Sequence, residues 1–200
     1  DVGSGKTVVA ALAAAVCIDA GWQCALMAPT EILATQHFAK LLGWLHPLGI
    51  TTAWLTGSQK TRERRDMLAQ IASGQAQLVV GTHAIIQDKV QFSKLALVII
   101  DEQHRFGVAQ RLQLRSKALP APDASVTAPA LAEALAVVEP HLLMMSATPI
   151  PRTLAMSYYA DLDVSTIDEL PPGRTPILTK VLHDARRDEV IARIRMQLEQ

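Results

Sequence analysis

Leu97-Val98-Ile99-Ile100-Asp101-Glu102 is a run of four apolar residues closed by two adjacent carboxylates. The apolar residues do not alternate with polar ones, so the run reads as a strand covered on both faces. Leu95 to Ile100 forms the whole strand-like segment, and three others share its character: Gln23 to Ala28, Gln77 to Val80 and Leu142 to Met145. Thr51 to Leu55 is β-prone. Between these runs lie helix-like segments. Thr7 to Ala20 stops at Gly21, a natural C-terminal cap. Thr30 can cap a helix from Glu31 to about Leu45, with Glu31 favourably placed in the helix dipole. Lys60 to Ser73 is a charged helix with Met67, Leu68 and Ile71 on one side and Gly74 at its end. Strands alternating with helices predict an α/β fold with a mainly parallel sheet, and ligands beyond the C-terminal ends of its strands.

Later segments break this rhythm. Lys117 to Pro140 is rich in Ala and Pro and reads as a surface insertion of about residues 117–140, with a short helix from Ala130 to Val138. Leu170-Pro171-Pro172-Gly173-Arg174 reads as a linker. A strand from Ile177 to Leu182 and an amphipathic helix from Ala185 to Leu198 follow, the expected opening of a second domain.

Two strings carry chemistry. Asp1-Val2-Gly3-Ser4-Gly5-Lys6-Thr7 ends as a phosphate-binding loop does, with Gly-Lys-Thr. Glycines at Gly3 and Gly5 let backbone N–H groups curl around phosphate oxygens, with Ser4 between them. The following helix adds its N-terminal dipole. Lys6 would reach the β- and γ-phosphates, and the Thr7 hydroxyl would ligate Mg²⁺. Read alone, the string is also a Gly-rich turn before a helix. The loop's first Gly would precede Asp1, and so would the strand leading into it, which raises the expectation of a larger natural protein. The second string is the acidic one. Asp101 at the strand tip would hold Mg²⁺, and Glu102 would orient and deprotonate an attacking water. Neighbouring strand residues point to opposite faces, so a bend must aim both carboxylates at one site. A Gly-Lys-Thr loop followed by an apolar strand and Asp-Glu, in that order, implies nucleotide hydrolysis.

Composition narrows the classes. Basic and acidic residues balance at 19 each, so nucleic acid can be held only by a local surface. Lys60, Arg62, Arg64 and Arg65 enclose Glu63 and read as a solvated helix face ahead of a DNA patch. Cys17 and Cys24 are too few for a disulfide framework and wrong for zinc, and fit a reducing cytoplasm. No secretory signal opens the chain. Its longest apolar run, Val8 to Ile18, is too short for a membrane span and reads as a helix on a sheet. His37, His46, His141 and His183 match no metal-ligand spacing, and Trp22, Trp44 and Trp54 are scattered.

Asp101-Glu102-Gln103-His104 resembles the DEAD/DEAH-type box of superfamily 2 helicases. Ser146-Ala147-Thr148 resembles their third motif and Ala28-Pro29-Thr30-Glu31 their motif Ia. Thr56-Gly57 and Val80-Gly81-Thr82-His83 resemble their strand-contacting motifs. The five stand in the family's order over roughly residues 1–153. Arg105-Phe106-Gly107-Val108 and Thr148-Pro149-Ile150-Pro151-Arg152-Thr153 are similar to the RecG family and to the transcription-repair coupling factors. Gln103, Tyr159-Ala160-Asp161-Leu162-Asp163 and Ile167 to Pro176 resemble the RecG family. The Ala/Pro-rich stretch after Lys117 departs from its pattern.

The resemblance implies a RecA-like P-loop NTPase domain over residues 1–168, a linker over 169–176 and the start of a second RecA-like domain over 177–200. It implies ATP and Mg²⁺ as cofactors, with Lys6, Asp101, Glu102 and His104 catalytic and Gly3, Ser4, Gly5, Lys6 and Thr7 on the nucleotide. Thr7 and Asp101 would hold the metal. Pro29, Thr30, Thr56, Gly57, Thr82 and His83 would contact DNA, through phosphates rather than bases. Gln103, Ser146, Ala147, Thr148 and Arg152 would couple hydrolysis to DNA, although Arg152, behind Pro151, also reads as helix capping. The implied activity is ATP-driven remodelling of branched or forked DNA in repair and recombination. The implied partners are a wedge domain and a second motor domain in the parent chain, and the single-strand-binding protein SSB. The implied setting is a monomer at the bacterial nucleoid in the cytoplasm, with no membrane. A coupling-factor-like translocase without strand separation and an inactive nucleotide- or DNA-binding fragment are the alternatives.

Overall fold

The computed structural model describes residues 4–102, 140–148, 163–167, 173 and 179–198. The chain divides into two units, Asp1–Asp168 and Glu169–Gln200. In the first, the order is α1 (Lys6–Asp19), β1 (Gln23–Met27), α2 (Glu31–Leu45), β2 (Thr52–Leu55), α3 (Thr61–Ala72), β3 (Leu78–Gly81), β4 (Leu95–Ile100) and β5 (His141–Met144). The strands form one sheet in the order β2-β3-β1-β4-β5, and every pair is parallel. The predicted parallel α/β architecture stands. Its helix and strand boundaries fall within a residue or two of those read from the sequence, the usual uncertainty of element ends.

Residue types explain the layers. Strand side chains alternate between faces, so Cys24 and Leu26 of β1 pack with Leu41 and Leu45 of α2 and with Ala10, Ala14 and Ile18 of α1. Ala25 and Met27 face the other way, towards Ile71 of α3 and the 3₁₀ turn His83–Ile86. α2, between β1 and β2, lies over one face, while α3, on the return from β2 to β3, lies over the other. Reversing both direction and face keeps one hand of crossover. α1 buries small side chains, Ala10, Ala11 and Ala14, and so can approach β1 and β4 closely; Val8, Val9, Leu12 and Val16 stay exposed.

Local devices fix the register. Thr30 caps α2, its Oγ1 accepting from the Leu33 N–H at 3.3 Å. Gly21, Gly49 and Gly74 end the three helical segments with φ between 77° and 85°, conditions that favour glycine, and each leads into the next strand. At Gly81 a Cβ would overlap the Leu55 carbonyl oxygen, so only glycine lets β3 approach the end of β2. β1 and β4 shift register between Gln23 and Cys24, a bulge that spares Ala96 a partner. Leu95 and Leu97 therefore face opposite cores. Buried Gln23 ties the bulge down. Its Nε2 donates to the Ile71 and Ala76 carbonyls at 2.9 and 2.7 Å, and its Oε1 accepts from the Ser93 and Lys94 N–H groups at 2.8 and 2.9 Å.

The second unit departs from the sequence reading. Thr179 to Leu182, the described part of the expected strand Ile177 to Leu182, form no strand, and Val181 is 95% exposed. β-prone residues become a strand only by pairing with a neighbour. The helix is there: a 3₁₀ turn Asp184–Arg186 leads into α4 (Arg187–Leu198), where Glu189 pairs with Arg186 and Arg193 at 2.8 and 3.0 Å. The insertion at about 117–140 with its helix at 130–138, and the linker but for Gly173, lie outside the described residues; of the insertion only Pro140 is described. Among the described residues no helix is long and apolar enough to cross a membrane, and both cysteines are free.

Candidate functional site

A parallel sheet delivers the C-terminal end of every strand to one edge. Here that edge collects Pro29 and Thr30 after β1, Thr56 and Gly57 after β2, Thr82 and His83 after β3, Asp101 and Glu102 after β4, and Ser146, Ala147 and Thr148 after β5. α1 runs into the start of β1 through Gly21, so its last turn lies at the opposite edge. Its 14 residues reach back ~21 Å at 1.5 Å per residue, which brings Gly5, Lys6 and Thr7 to the edge that holds Asp101. Gly5 precedes the helix with φ 88°, and the N–H groups of Val8 and Val9 fold back onto its carbonyl at 2.9 and 3.3 Å. The Lys6 ammonium donates to Ser4 Oγ at 3.1 Å. This corner offers a helix N-terminus, an ammonium and two hydroxyls, a set suited to phosphate.

The acidic end of β4 is built by its neighbours. The Asp101 N–H donates to the Met27 carbonyl at 3.0 Å, extending the β1–β4 ladder past the strand. Asp101 is 8% exposed, and its Oδ2 lies 2.7 Å from Nε2 of His37, also 8% exposed, on α2. Glu102 is half-buried, with φ 52°. A left-handed backbone costs a non-glycine residue about 1 kcal/mol or more. It turns the chain sharply after Asp101, so strict strand alternation no longer separates the two carboxylates. The Met145 N–H donates to the Ile100 carbonyl at 2.8 Å, which runs the Ser146 segment alongside. Ser146 Oγ accepts from the Thr148 N–H at 3.2 Å and lies 2.9 Å from Thr148 Oγ1.

On the other side of the edge the loops brace one another. Glu31 accepts from Ser58 Oγ at 2.8 Å and from the Ser58 N–H at 3.3 Å, joining the loop after β1 to the loop after β2. Arg64 donates to the Thr56 carbonyl at 2.9 Å and to Gln87 Oε1 at 2.7 Å. Gln59 accepts from the Thr56 N–H at 3.2 Å and donates to the Trp54 carbonyl at 2.9 Å. Thr56 and Thr82 are each only 2% exposed, and the Thr82 hydroxyl is buried without a partner among the described residues. Of the residues beside Thr56 and Thr82, Gly57, Ser58 and His83 are exposed, so backbone and these side chains face solvent. Arg64 is no merely solvated charge, unlike its exposed neighbours Arg62 and Arg65.

Of the site residues read from the sequence, Gly3, Gln103, His104 and Arg152 lie outside the described residues. The remainder meet at the one edge. Sequence reading passed over Gln59, weighed His37 only as a metal ligand, and placed Arg64 on a solvated helix face ahead of a DNA patch. A signal for His37 existed: Ala34, His37, Leu41 and Leu45 recur at helical spacing and are all buried, so a histidine sits in an apolar stripe.

Asp101 Oδ1, which His37 leaves without a partner among the described residues, and the Thr7 hydroxyl are hard oxygen donors, and such donors fit Mg²⁺. Burial pushes the Cys24 thiol well above its ordinary 9.0, with Cys17 nearby adding to the effect, and burial also raises Cys17. Neither thiol is poised as a nucleophile.

The DEAD/DEAH box helicase family model matches residues 1–157. The RecG helicase of Pasteurella multocida is 58% identical over 194 residues, 97% of this chain and 26% of that protein. The RecG helicase of Haemophilus influenzae is 56% identical over 195 residues, 98% of this chain and 26% of its own length. A solved structure of RecG bound to a three-way DNA junction superposes with a TM-score of 0.76 at 39% identity, covering all of this chain and 24% of that one. The chain thus spans about a quarter of the relatives it matches. With its parallel sheet, its phosphate corner and its acidic strand end, it belongs to the DEAD/DEAH box helicase family.

Proposed function

We propose that this chain is the first RecA-like motor domain, with the opening of the second, of a RecG-like helicase that couples ATP hydrolysis to the remodelling of branched DNA in repair and recombination. The observation that carries the reading is the single sheet edge shared by Lys6, Thr7, Asp101, Glu102, the Ser146 to Thr148 segment and the three braced loops. A RecG structure bound to a three-way DNA junction, which matches the whole chain, favours branched DNA over a translocase without strand separation.

Each residue has a role that follows from its chemistry. Lys6 and the α1 N-terminus bind the phosphates. Thr7 and Asp101 hold Mg²⁺, which when bound neutralises charge across the β- and γ-phosphates. Glu102 orients the water and accepts its proton. Ser146, Ala147 and Thr148, beside Asp101, transmit the state of that corner towards the DNA-facing loops, and Gln103, His104 and Arg152 belong to the same relay. Pro29, Thr30, Gly57 and His83 face the DNA backbone, while Thr56 and Thr82 shape their loops from within. The parent chain supplies the wedge and second motor domains and works as a monomer in the bacterial cytoplasm, with SSB as a partner.

The test compares the intact protein with its Glu102→Gln variant, with and without forked DNA. Loss of a general base costs on the order of 10²- to 10⁴-fold, so the variant is expected to bind ATP normally and lose DNA-stimulated hydrolysis. A wild type that hydrolyses ATP no faster than the variant would sink the reading.

A further inference from the structure

His37 stands outside every motif and yet touches the acidic box. It lies two turns into α2, is 8% exposed, and brings Nε2 to 2.7 Å from Asp101 Oδ2. We propose that His37 is a positioning residue that locks the Asp101 carboxylate in the orientation needed to hold Mg²⁺, an inference that rests on the nucleotide-hydrolysis reading above. The argument begins with rotational freedom. The terminal torsion of an aspartate is broad and roughly two-fold, so a strand end alone leaves the carboxylate plane undetermined. An ionised carboxylate can only accept hydrogen bonds, so Nε2 carries the proton and donates it. One short donated bond engages Oδ2 and leaves Oδ1 for the cation. A partner in the second shell that orients a ligand typically sets metal affinity by 10- to 100-fold.

The placement of α2 supports a dedicated role. The face that presents His37 also buries Ala34, Leu41 and Leu45, so the imidazole is delivered by a helix packed against the sheet rather than by a loop. Thr30 caps the same helix and Glu31 begins it, holding Ser58 of the neighbouring loop. One rigid element thus carries both a DNA-facing loop and the donor on the metal-binding carboxylate.

The test uses the intact protein, methylanthraniloyl-ATP as a fluorescent probe, and MgCl₂ titrated against EDTA. His37→Met keeps the bulk and removes the donor, whereas His37→Gln keeps a donor near the reach of Nε2. The expected result for His37→Met is a rise of about 10-fold or more in the Mg²⁺ concentration for half-maximal probe binding. Probe binding in EDTA should be unchanged, and His37→Gln should return to within about 3-fold of wild type, a small part of the 10- to 100-fold range for such partners. His37→Asn, whose shorter amide cannot reach Asp101, should behave like His37→Met and serves if the methionine variant does not fold. Unchanged Mg²⁺ dependence in both Met and Asn variants overturns the proposal, as does equal loss in all three or a loss that persists in EDTA. Asp101→Asn separates the two layers. If it shifts the Mg²⁺ requirement while the His37 variants do not, the positioning role alone fails. If neither shifts it, the Mg²⁺-nucleotide reading fails with it.

Discussion

Gln23 uses its whole side chain on backbone groups from two other segments. Gln23→Met keeps the volume but strands the buried Ala76 carbonyl and the part-buried Ser93 and Lys94 N–H groups, while the Ile71 carbonyl keeps the Gly74 N–H. The expected cost is about 1–3 kcal/mol, that of one unsatisfied buried group; urea unfolding would measure it, and a loss under about 1 kcal/mol would show the groups find other partners. Cys24 gives a dependence on pH. Its thiol titrates well above 9.0 in the folded protein because it is buried, with Cys17 adding to the shift. Between 9.0 and the folded value the unfolded chain has lost its proton and the native one has not, so stability present below pH 9 falls as pH rises. Cys24→Ala should flatten that alkaline decline in thermal melts. The role of Gln23 was not legible in the sequence, and the helical spacing that marks His37 does not name the residue it meets. Their partners lie 48 to 71 and 64 residues away, and a linear string shows only neighbours. Lys6, Thr7, Asp101 and Glu102 were legible because their chemistry is written in contiguous residues at the ends of elements.

Among elements, the strands and helices of the first unit were readable because composition and local signals agree. β1, β3 and β4 are almost wholly apolar, and glycines close the helices. What could not be read was which strand neighbours which, since β2-β3-β1-β4-β5 departs from chain order. The described part of the expected strand in the second unit, Thr179 to Leu182, is no strand for the same cause: pairing is a property of two segments, and among the described residues these are unpaired. Gly81 tests the sheet directly. Gly81→Ala should force β2 away from β3, because the added methyl meets the Leu55 carbonyl, which is backbone and cannot rotate aside. Overpacking costs about 1–3 kcal/mol even where side chains can yield, so a loss at the upper end or beyond is expected in denaturant unfolding, with Thr56 and Thr82 disturbed first. An alanine variant as stable as wild type would mean the two strands separate at no cost.

For the molecule as a whole, the ATP site proposed here is one-sided. The resemblance to superfamily 2 motors implies that a second motor domain contributes an arginine to the transferring phosphoryl group, and such arginines are worth on the order of 10³- to 10⁵-fold in rate. Residues 1–200 alone should therefore turn over ATP at least about 10³-fold more slowly than the intact protein on forked DNA. Steady-state hydrolysis of the two, side by side, checks it; equal rates would place the whole catalytic apparatus within this chain. The one-way sheet has another outcome. Gly21, Gly49 and Gly74 all turn at the edge away from the chemistry, with no side chain crowding Gly21 or Gly49. The domain thus has one rim that gathers the candidate site and one that gathers the glycine turns. A dye or surface tether spliced in after Gly49, leaving the glycine itself in place, would hold the motor from behind with the nucleotide and DNA sides open.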